Sequence, residues 1–350
     1  MNQPINIMVV DDSPLIRNAL RNILAKFQDL LVVAEAANGV DALDLLPVAQ
    51  PDVIIMDVNM PEMDGITTLK HMMIKCPVPT VMLSTLTKDG SAITFDSLRY
   101  GAVDFLTKPS SLDDKLEEQT AEIAAKITLA ARVETGAMQY IRPASKKTAE
   151  NGQQNLEIKK IVTIGAAEGG YPALLKLIPG LQADLPAAYI VVLYAATEHI
   201  DAFVRYLDDC SNLSVNRAYE GAPLKSGACY ISSGEEYVTV REKNGDFLLH
   251  VSPAPFSARR GSIDMLMLSS AELAGEKTVG VVLSGEGDDG SEGLCEITAN
   301  GGTAIVQKPQ SCLYRNMADK ALERCPAKIV VSDTKIAAAI NLCSSEKRSS

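Results

Sequence analysis

Histidine is scarce in this 350-residue sequence: only His71, His199 and His250 occur. Its seven cysteines (76, 210, 229, 295, 312, 325 and 343) are odd in number and scattered, with no C-x-x-C pair. The usual zinc ligand sets are therefore missing, and the thiols are expected to be free, buried and kept in a reducing compartment. No apolar run approaches the roughly 20 residues of a membrane helix, and no signal peptide opens the sequence. Cytoplasmic residence without membrane insertion is the expectation. Basic charge is also short, 33 Lys and Arg against 44 Asp and Glu. The net charge of −11 and pI near 4.9 disfavour nucleic acid and acidic membrane surfaces as partners. No short internal repeat is visible. Apolar residues at 47% and charged residues at 22% are the balance of a globular protein, and the length suffices for two full cores.

The first half alternates strands and helices. Ile5–Val10 is an apolar strand ending in Asp11 and Asp12. Ser13 is placed as an N-cap and Pro14 as the first helical residue, followed by Leu15, Ile16, Ala19, Leu20, Ile23 and Leu24 on one face. Further strands are expected at 31–34, 52–57, 80–85 and 104–109, with a helix near 40–46. This alternation predicts a doubly wound parallel sheet with functional groups at the carboxyl ends of the strands.

Asp11, Asp12, Asp57, Ser84 and Lys108 converge at that edge. Clustered carboxylates repel unless a divalent cation joins them, and all-oxygen ligands favour magnesium. With the cation and Lys108 neutralising an incoming phosphate, the Asp57 carboxylate can attack a phosphoryl donor in line. The Ser84 hydroxyl is placed to bond the resulting acyl phosphate, and Phe105 to follow as a buried switch. The D-D, D, S and K positions, with the M-D-G and K-P pairs, resemble response-regulator receiver domains over residues 1 to about 125. That resemblance adds the Asn59 backbone carbonyl as a metal ligand, a cis bond before Pro109 and a histidine kinase as phosphodonor.

Residues 126–157 lose apolar periodicity and read as a linker with only a modest basic excess. Beyond it, residues 158–345 return to parallel-type strands at 160–164, 188–194, 279–284, 303–306 and 329–331. A hairpin-like block spans 227–232, 237–241 and 246–251, with Asn244-Gly245 as its last turn. Its first strand, starting at Ile161, breaks into a small-residue turn ahead of a helix carrying Leu174, Leu175 and Ile178. Strand, glycine turn and helix form the elbow on which α/β hydrolases raise a serine. Here the raised residue is Ala167, which has no nucleophilic atom.

The elbow Gly165-Ala-Ala-Glu-Gly-Gly170, the block at 220–232, the segment at 260–266 and Val281–Gly290 resemble the chemotaxis methylesterase (CheB) family. A receiver ahead of such a domain is that family's architecture. The resemblance implies an α/β chain with a flavodoxin-like receiver and a parallel methylesterase-like domain carrying a small antiparallel ribbon. The family demethylates receptor glutamate esters and deamidates receptor glutamines with a Ser-His-Asp triad, and phosphorylation of its receiver relieves inhibition. The family elbow reads G-A-S-T-G-G, so Ala167 stands at the serine and Glu168 at the threonine. Alignment through Phe203 puts Tyr194 at the histidine, and Asp289 keeps the third position. Glu286 adds an acid beside the family's oxyanion region.

Two of three triad members are thus replaced, and a degenerate, non-catalytic output domain is expected. Partners on that basis are a chemotaxis-type kinase and chemoreceptors or array proteins. An active esterase or amidase with an altered catalytic set is the alternative, drawing on His199, Ser262, Ser284 or a Glu168–Asp289 acid pair. An adaptor outside chemotaxis is a third.

Overall fold

The computed structural model describes residues 3–84, 90–109, 116–134, 138, 140–141, 156–254, 261–325 and 329–345. The chain divides into two compact units, Met1–Arg142 and Pro143–Ser350.

In the first unit, strands β1 (Ile5–Val10), β2 (Leu30–Ala36), β3 (Val53–Asp57), β4 (Thr80–Ser84) and β5 (Asp104–Thr107) form one parallel sheet ordered β2-β1-β3-β4-β5. Helices α1 (Pro14–Leu24), α2 (Gly39–Ala49), α3 (Gly65–Lys75), α4 (Gly90–Arg99) and α5 (Leu116–Ala130) connect and follow them. A strand with helices on both faces needs an unbroken apolar run, and Ile54, Ile55 and Met56 of β3 are fully buried. The order reverses between β1 and β3, the crevice where doubly wound sheets place their chemistry. Ser13 is the N-cap of α1 and Pro14 its first residue, but the Ser13 side chain makes no capping bond. Past α5, Val133 and Ile141 are buried, and the Ile141 N–H donates to the Arg99 carbonyl at 2.8 Å.

The second unit holds a seven-stranded parallel sheet, ordered β14-β13-β12-β6-β7-β9-β8. The strands are β6 (Lys160–Ala166), β7 (Ala187–Leu193), β8 (Ser214–Arg217), β9 (Ala228–Ser233), β12 (Thr278–Val282), β13 (Thr303–Gln307) and β14 (Ile329–Val331). Only β10 (Glu236–Lys243) and β11 (Asp246–Pro253) form the antiparallel ribbon, turning at Asn244 and Gly245, both with positive φ. The expected three-part hairpin is therefore corrected: residues 228–233 belong to the main sheet. Their burial explains it, since all six are buried, whereas β10 is exposed at one end. Helices α6 (Gly170–Leu177), α7 (Thr197–Asp209), α8 (Ser262–Ala274), α9 (Ser291–Ala299), α10 (Asn316–Arg324) and α11 (Asp333–Ser345) complete the unit. Outward from β12 the strands run β13 then β14, and outward from β6 they run β7, β9 then β8, so the switch point of this sheet lies between β12 and β6.

The cysteines are less buried than expected. Cys229, Cys312 and Cys325 are buried, Cys76 is exposed, the others are intermediate, and none is in a disulfide.

Candidate functional site

At the switch point of the first sheet, Asp11 follows β1, Asp57 ends β3 and Lys108 follows β5. One oxygen from each of Asp11, Asp12 and Asp57 lies within 4.8 Å of the others. Asp11 and Asp57 are buried and Asp12 is exposed. The Lys108 ammonium spans the two buried acids, 3.0 Å from Asp11 Oδ2 and 2.7 Å from Asp57 Oδ2. Its backbone is held by donation from Lys108 N–H to the Ser84 carbonyl at 3.3 Å.

Two carboxylates about 5 Å apart repel by roughly 3 kcal/mol at an effective dielectric near 20. Three acids and one ammonium leave a charge of −3 + 1 = −2 at the cluster. Burial raises the Asp57 carboxyl above its ordinary pKa; Lys108 and the Asn59 N–H oppose this, and Asp11 adds to it. Burial works against the Lys108 ammonium, yet its bonds to Asp57 and Asp11 outweigh that and raise its pKa. Asp11 Oδ1 accepts the Ser13 N–H at 2.8 Å, while buried Oδ2 has no hydrogen bond of good geometry, only the ion pair with Lys108. An under-coordinated oxygen in an all-oxygen cluster of charge −2 fits a hard divalent cation.

Ser84 is buried at the end of β4, and its hydroxyl is hydrogen-bonded to the Thr94 hydroxyl of α4. Phe105 is buried, its ring edge-on to Phe95 at 6.0 Å. No peptide bond among the described residues is cis, which corrects the expectation for the Lys108–Pro109 bond. Trans is favoured by about 0.5–1 kcal/mol before proline, and the two carboxylates hold the Lys108 side chain.

At the second switch point, Ala167 follows β6 and is 5% exposed. Its N–H donates to the Ser284 carbonyl beyond β12 at 3.0 Å, and its carbonyl accepts from Gly170 at the start of α6. Tyr194 follows β7 next to it, with its N–H on the Ala166 carbonyl at 3.0 Å. Gly234 makes room for its ring: a Cβ there would fall 1.9 Å from Tyr194 Cδ1. The Tyr194 hydroxyl donates to Asp289 Oδ2 at 2.5 Å. Burial, then the Asp289 charge, pushes the phenol pKa well above its ordinary value.

Asp289 is buried, and its carboxylate is filled. Oδ2 also accepts the Ile263 N–H at 3.0 Å, while Oδ1 accepts the N–H groups of Asp264 at 2.9 Å and Gly290 at 3.0 Å. Four donors occupy about four lone-pair positions. Ile263 and Asp264 lie in the first turn of α8, whose N-cap is Gly261 at φ 92°, with no side chain to cap it. Asp289 supplies that cap from a distant loop, and the Tyr194 hydroxyl accepts the Ser262 N–H at 3.3 Å. Asp264, whose Oδ1 takes the Gly293 N–H at 2.7 Å, is pushed up to about 7, by burial first and by the neighbouring Asp289.

The other polar groups are engaged as well. Glu168 Oε2 accepts the Glu286 N–H at 3.1 Å. The Ser284 hydroxyl lies 2.9 Å from the Glu168 carbonyl and 3.2 Å from the Tyr314 carbonyl, and accepts the Tyr314 N–H at 3.0 Å. The Ser262 hydroxyl donates to the Gly234 carbonyl at 2.8 Å. His199 lies in the first turn of α7, its N–H on the Ala196 carbonyl at 3.0 Å.

Comparison with known proteins agrees with both halves. Residues 162–340 match the CheB methylesterase family, and residues 7–119 match the response regulator receiver domain. A protein-glutamate methylesterase/protein-glutamine glutaminase of Pyrococcus horikoshii is 33% identical over 340 residues, 96% of this chain and 92% of the relative.

The chain belongs to the CheB methylesterase family.

The Thermotoga maritima protein of the same name is 33% identical over 334 residues, covering 95% of this chain and 96% of the relative. The crystal structure of the Thermotoga maritima CheB methylesterase catalytic domain superposes with a TM-score of 0.50 at 28% identity, covering 52% of this chain and 97% of that one. This CheB-family chain therefore has an N-terminal receiver and a C-terminal methylesterase domain. Sequence reasoning missed Thr94, Gly234 and the backbone donors of Ile263, Asp264 and Gly290. Gly234 follows a strand and precedes Glu235, a turn signal, but which ring it clears depends on the fold.

Proposed function

We propose that this protein is a response regulator phosphorylated on Asp57, with a methylesterase-fold output domain (158–345) that binds without hydrolysing. The linker, 126–157, joins that domain to a receiver at 1–125. The observation that carries the reading is the filled Asp289 carboxylate. A triad needs its carboxylate to orient a base, and here the bonded group is the Tyr194 phenol. A phenol of raised pKa is protonated at neutral pH and takes no proton from a nucleophile. At the elbow Ala167 offers none. Loss of serine or histidine alone costs on the order of 10⁶ in kcat in a serine hydrolase. The Glu168 carboxylate takes the Glu286 N–H, withdrawing a donor from the loop beside Ala167.

In the receiver, Asp11, Asp12, Asp57 and the Asn59 carbonyl would hold Mg²⁺, which supplies charge neutralisation when bound. Asp57 presents the attacking carboxylate, Lys108 compensates phosphoryl charge, and Ser84 exchanges its Thr94 bond for the acyl phosphate, with Phe105 packed behind. A chemotaxis-type histidine kinase is the phosphodonor, and chemoreceptors or array proteins are the targets.

The relatives' name favours a second reading, an active methylesterase/glutaminase with an altered catalytic set, since similarity at 33% spans 96% of the chain. Methanol release from methylated receptor fragments separates the two. Purified protein, with and without a small phosphodonor, is expected to stay at the no-enzyme rate while wild type, and not Asp57→Ala, takes up phosphate. Turnover by the unmutated protein would overturn the binding-only reading.

A further inference from the structure

The C-terminal end of α10 lies against α9, and two thiols meet there. Cys295 on α9 has its Sγ 3.5 Å from the carbonyl of Arg324, the residue just before Cys325. One turn along α9, Thr298 has its hydroxyl 2.8 Å from the Cys295 carbonyl and 3.5 Å from Cys325 Sγ. These contacts set both thiols at the same junction of α9 and α10. Cys325 is 3% exposed and Cys295 is intermediate, so solvent reaches one member of the pair. Neither takes part in the sites described above.

We propose that Cys295 and Cys325 are a dithiol modification site, oxidised to an intramolecular disulfide by low-molecular-weight disulfides such as oxidised glutathione. The Cys295 thiolate attacks one glutathione sulfur, forming a mixed disulfide and expelling a glutathione thiolate. The Cys325 thiolate then attacks Cys295 Sγ, forming the protein disulfide and expelling the second. The two thiol protons end on two glutathione molecules, and oxidised glutathione has taken up two electrons.

Oxidation would clamp α10 at its far end. The near end already holds the loop beside Ala167: Met317 N–H donates to the Gly285 carbonyl at 2.8 Å, and Gly285 N–H donates to the Tyr314 carbonyl at 3.0 Å. The Cys295 thiol is pushed up to about 11, by burial first and then by Cys325. Because the thiolate is the nucleophile, the initial rate should rise about tenfold per pH unit between pH 7 and 9.

The test incubates full-length protein with oxidised glutathione at pH 8.5, blocks remaining thiols with iodoacetamide and maps unreduced peptides by mass. The expected product is a Cys295–Cys325 cross-linked peptide, two hydrogens lighter than the reduced pair and released by dithiothreitol. Cys295→Ser should abolish it, and Cys325→Ser should stop at a glutathione adduct on Cys295. If Cys325→Ser fails to fold, the wild-type map and Cys295→Ser decide alone. Cysteines 295 and 325 still reduced after exposure at pH 9, a persistent adduct on wild-type Cys295, or a cross-link through another cysteine would overturn the proposal.

Discussion

Restoring hydrolysis should take two substitutions, Ala167→Ser and Tyr194→His, and neither alone should suffice. Ala167→Ser supplies a hydroxyl where Gly285 leaves room, since a Cβ on Gly285 would sit 2.7 Å from that of Ala167. The new serine would face a phenol held protonated by burial and by Asp289, so no base takes its proton. Tyr194→His replaces the phenol with a smaller ring in the space Gly234 clears. It also leaves Asp289 Oδ2 to accept an imidazole N–H in place of the hydroxyl at 2.5 Å. A positioned general base contributes about 10²–10⁴ in rate, so the double variant should exceed Ala167→Ser by at least about 10². Removing the tyrosine bond to a charged acceptor costs about 1.5–3 kcal/mol of stability before the imidazole compensates, so thermal melts accompany the kinetics. The assay is the initial rate of methanol release from methylated receptor fragments between pH 6 and 9. The double variant should gain activity as an imidazole near pKa 6.5 deprotonates. Equal rates for Ala167→Ser and the double variant, or a folded double variant at background, would refute the assignment of Tyr194 to the base position.

Two further outcomes concern stability. Asp264, at about 7, binds its proton more tightly in the folded than in the unfolded chain. The native protein should therefore lose stability as pH rises from about 4 to 7 through this group. Asp264→Asn keeps an oxygen acceptor for Gly293 and should flatten that slope, melting higher than wild type above pH 7; parallel slopes would dismiss the raised pKa. Gly234→Ala should cost about 1–3 kcal/mol by overpacking, read as a lower Tm, and the penalty should vanish in a Tyr194→Ala background.

The receiver was the more legible half. Its buried parallel strands are apolar runs ending in acids, so Asp11 and Asp57 could be placed at one edge from order alone, and Lys108 after the last strand. The Ser84–Thr94 contact was not legible, because it joins a strand end to a helix through packing. In the second unit, periodicity located the strands but not their partners. Residues 228–233 are followed by turn residues and a ribbon strand, which suggested a hairpin; only burial on both faces shows they lie inside the parallel sheet. The short edge strand at 214–217 carries Ser, Asn and Arg and left no apolar signature. At the site, the turn at Ala167 and the strand end at Tyr194 were legible, and both lie at the switch point of the second sheet. The saturation of Asp289 was not legible, since three of its four donors are backbone N–H groups, which carry no sequence signal.

The distant capping of α8 changes what mutagenesis at position 289 can teach. Asp289 ties the N-terminal turn of one helix to the entry of another, so alanine there would strip three backbone amides of their acceptor at once. Such a variant would lose solubility or fold whether or not the pocket performs chemistry, and a screen would score the position as indispensable on either account. A residue that serves as a keystone is held in place by the fold alone, and its presence is no record of activity. A position whose side chain makes no hydrogen bond, such as 167, is the better witness about catalysis.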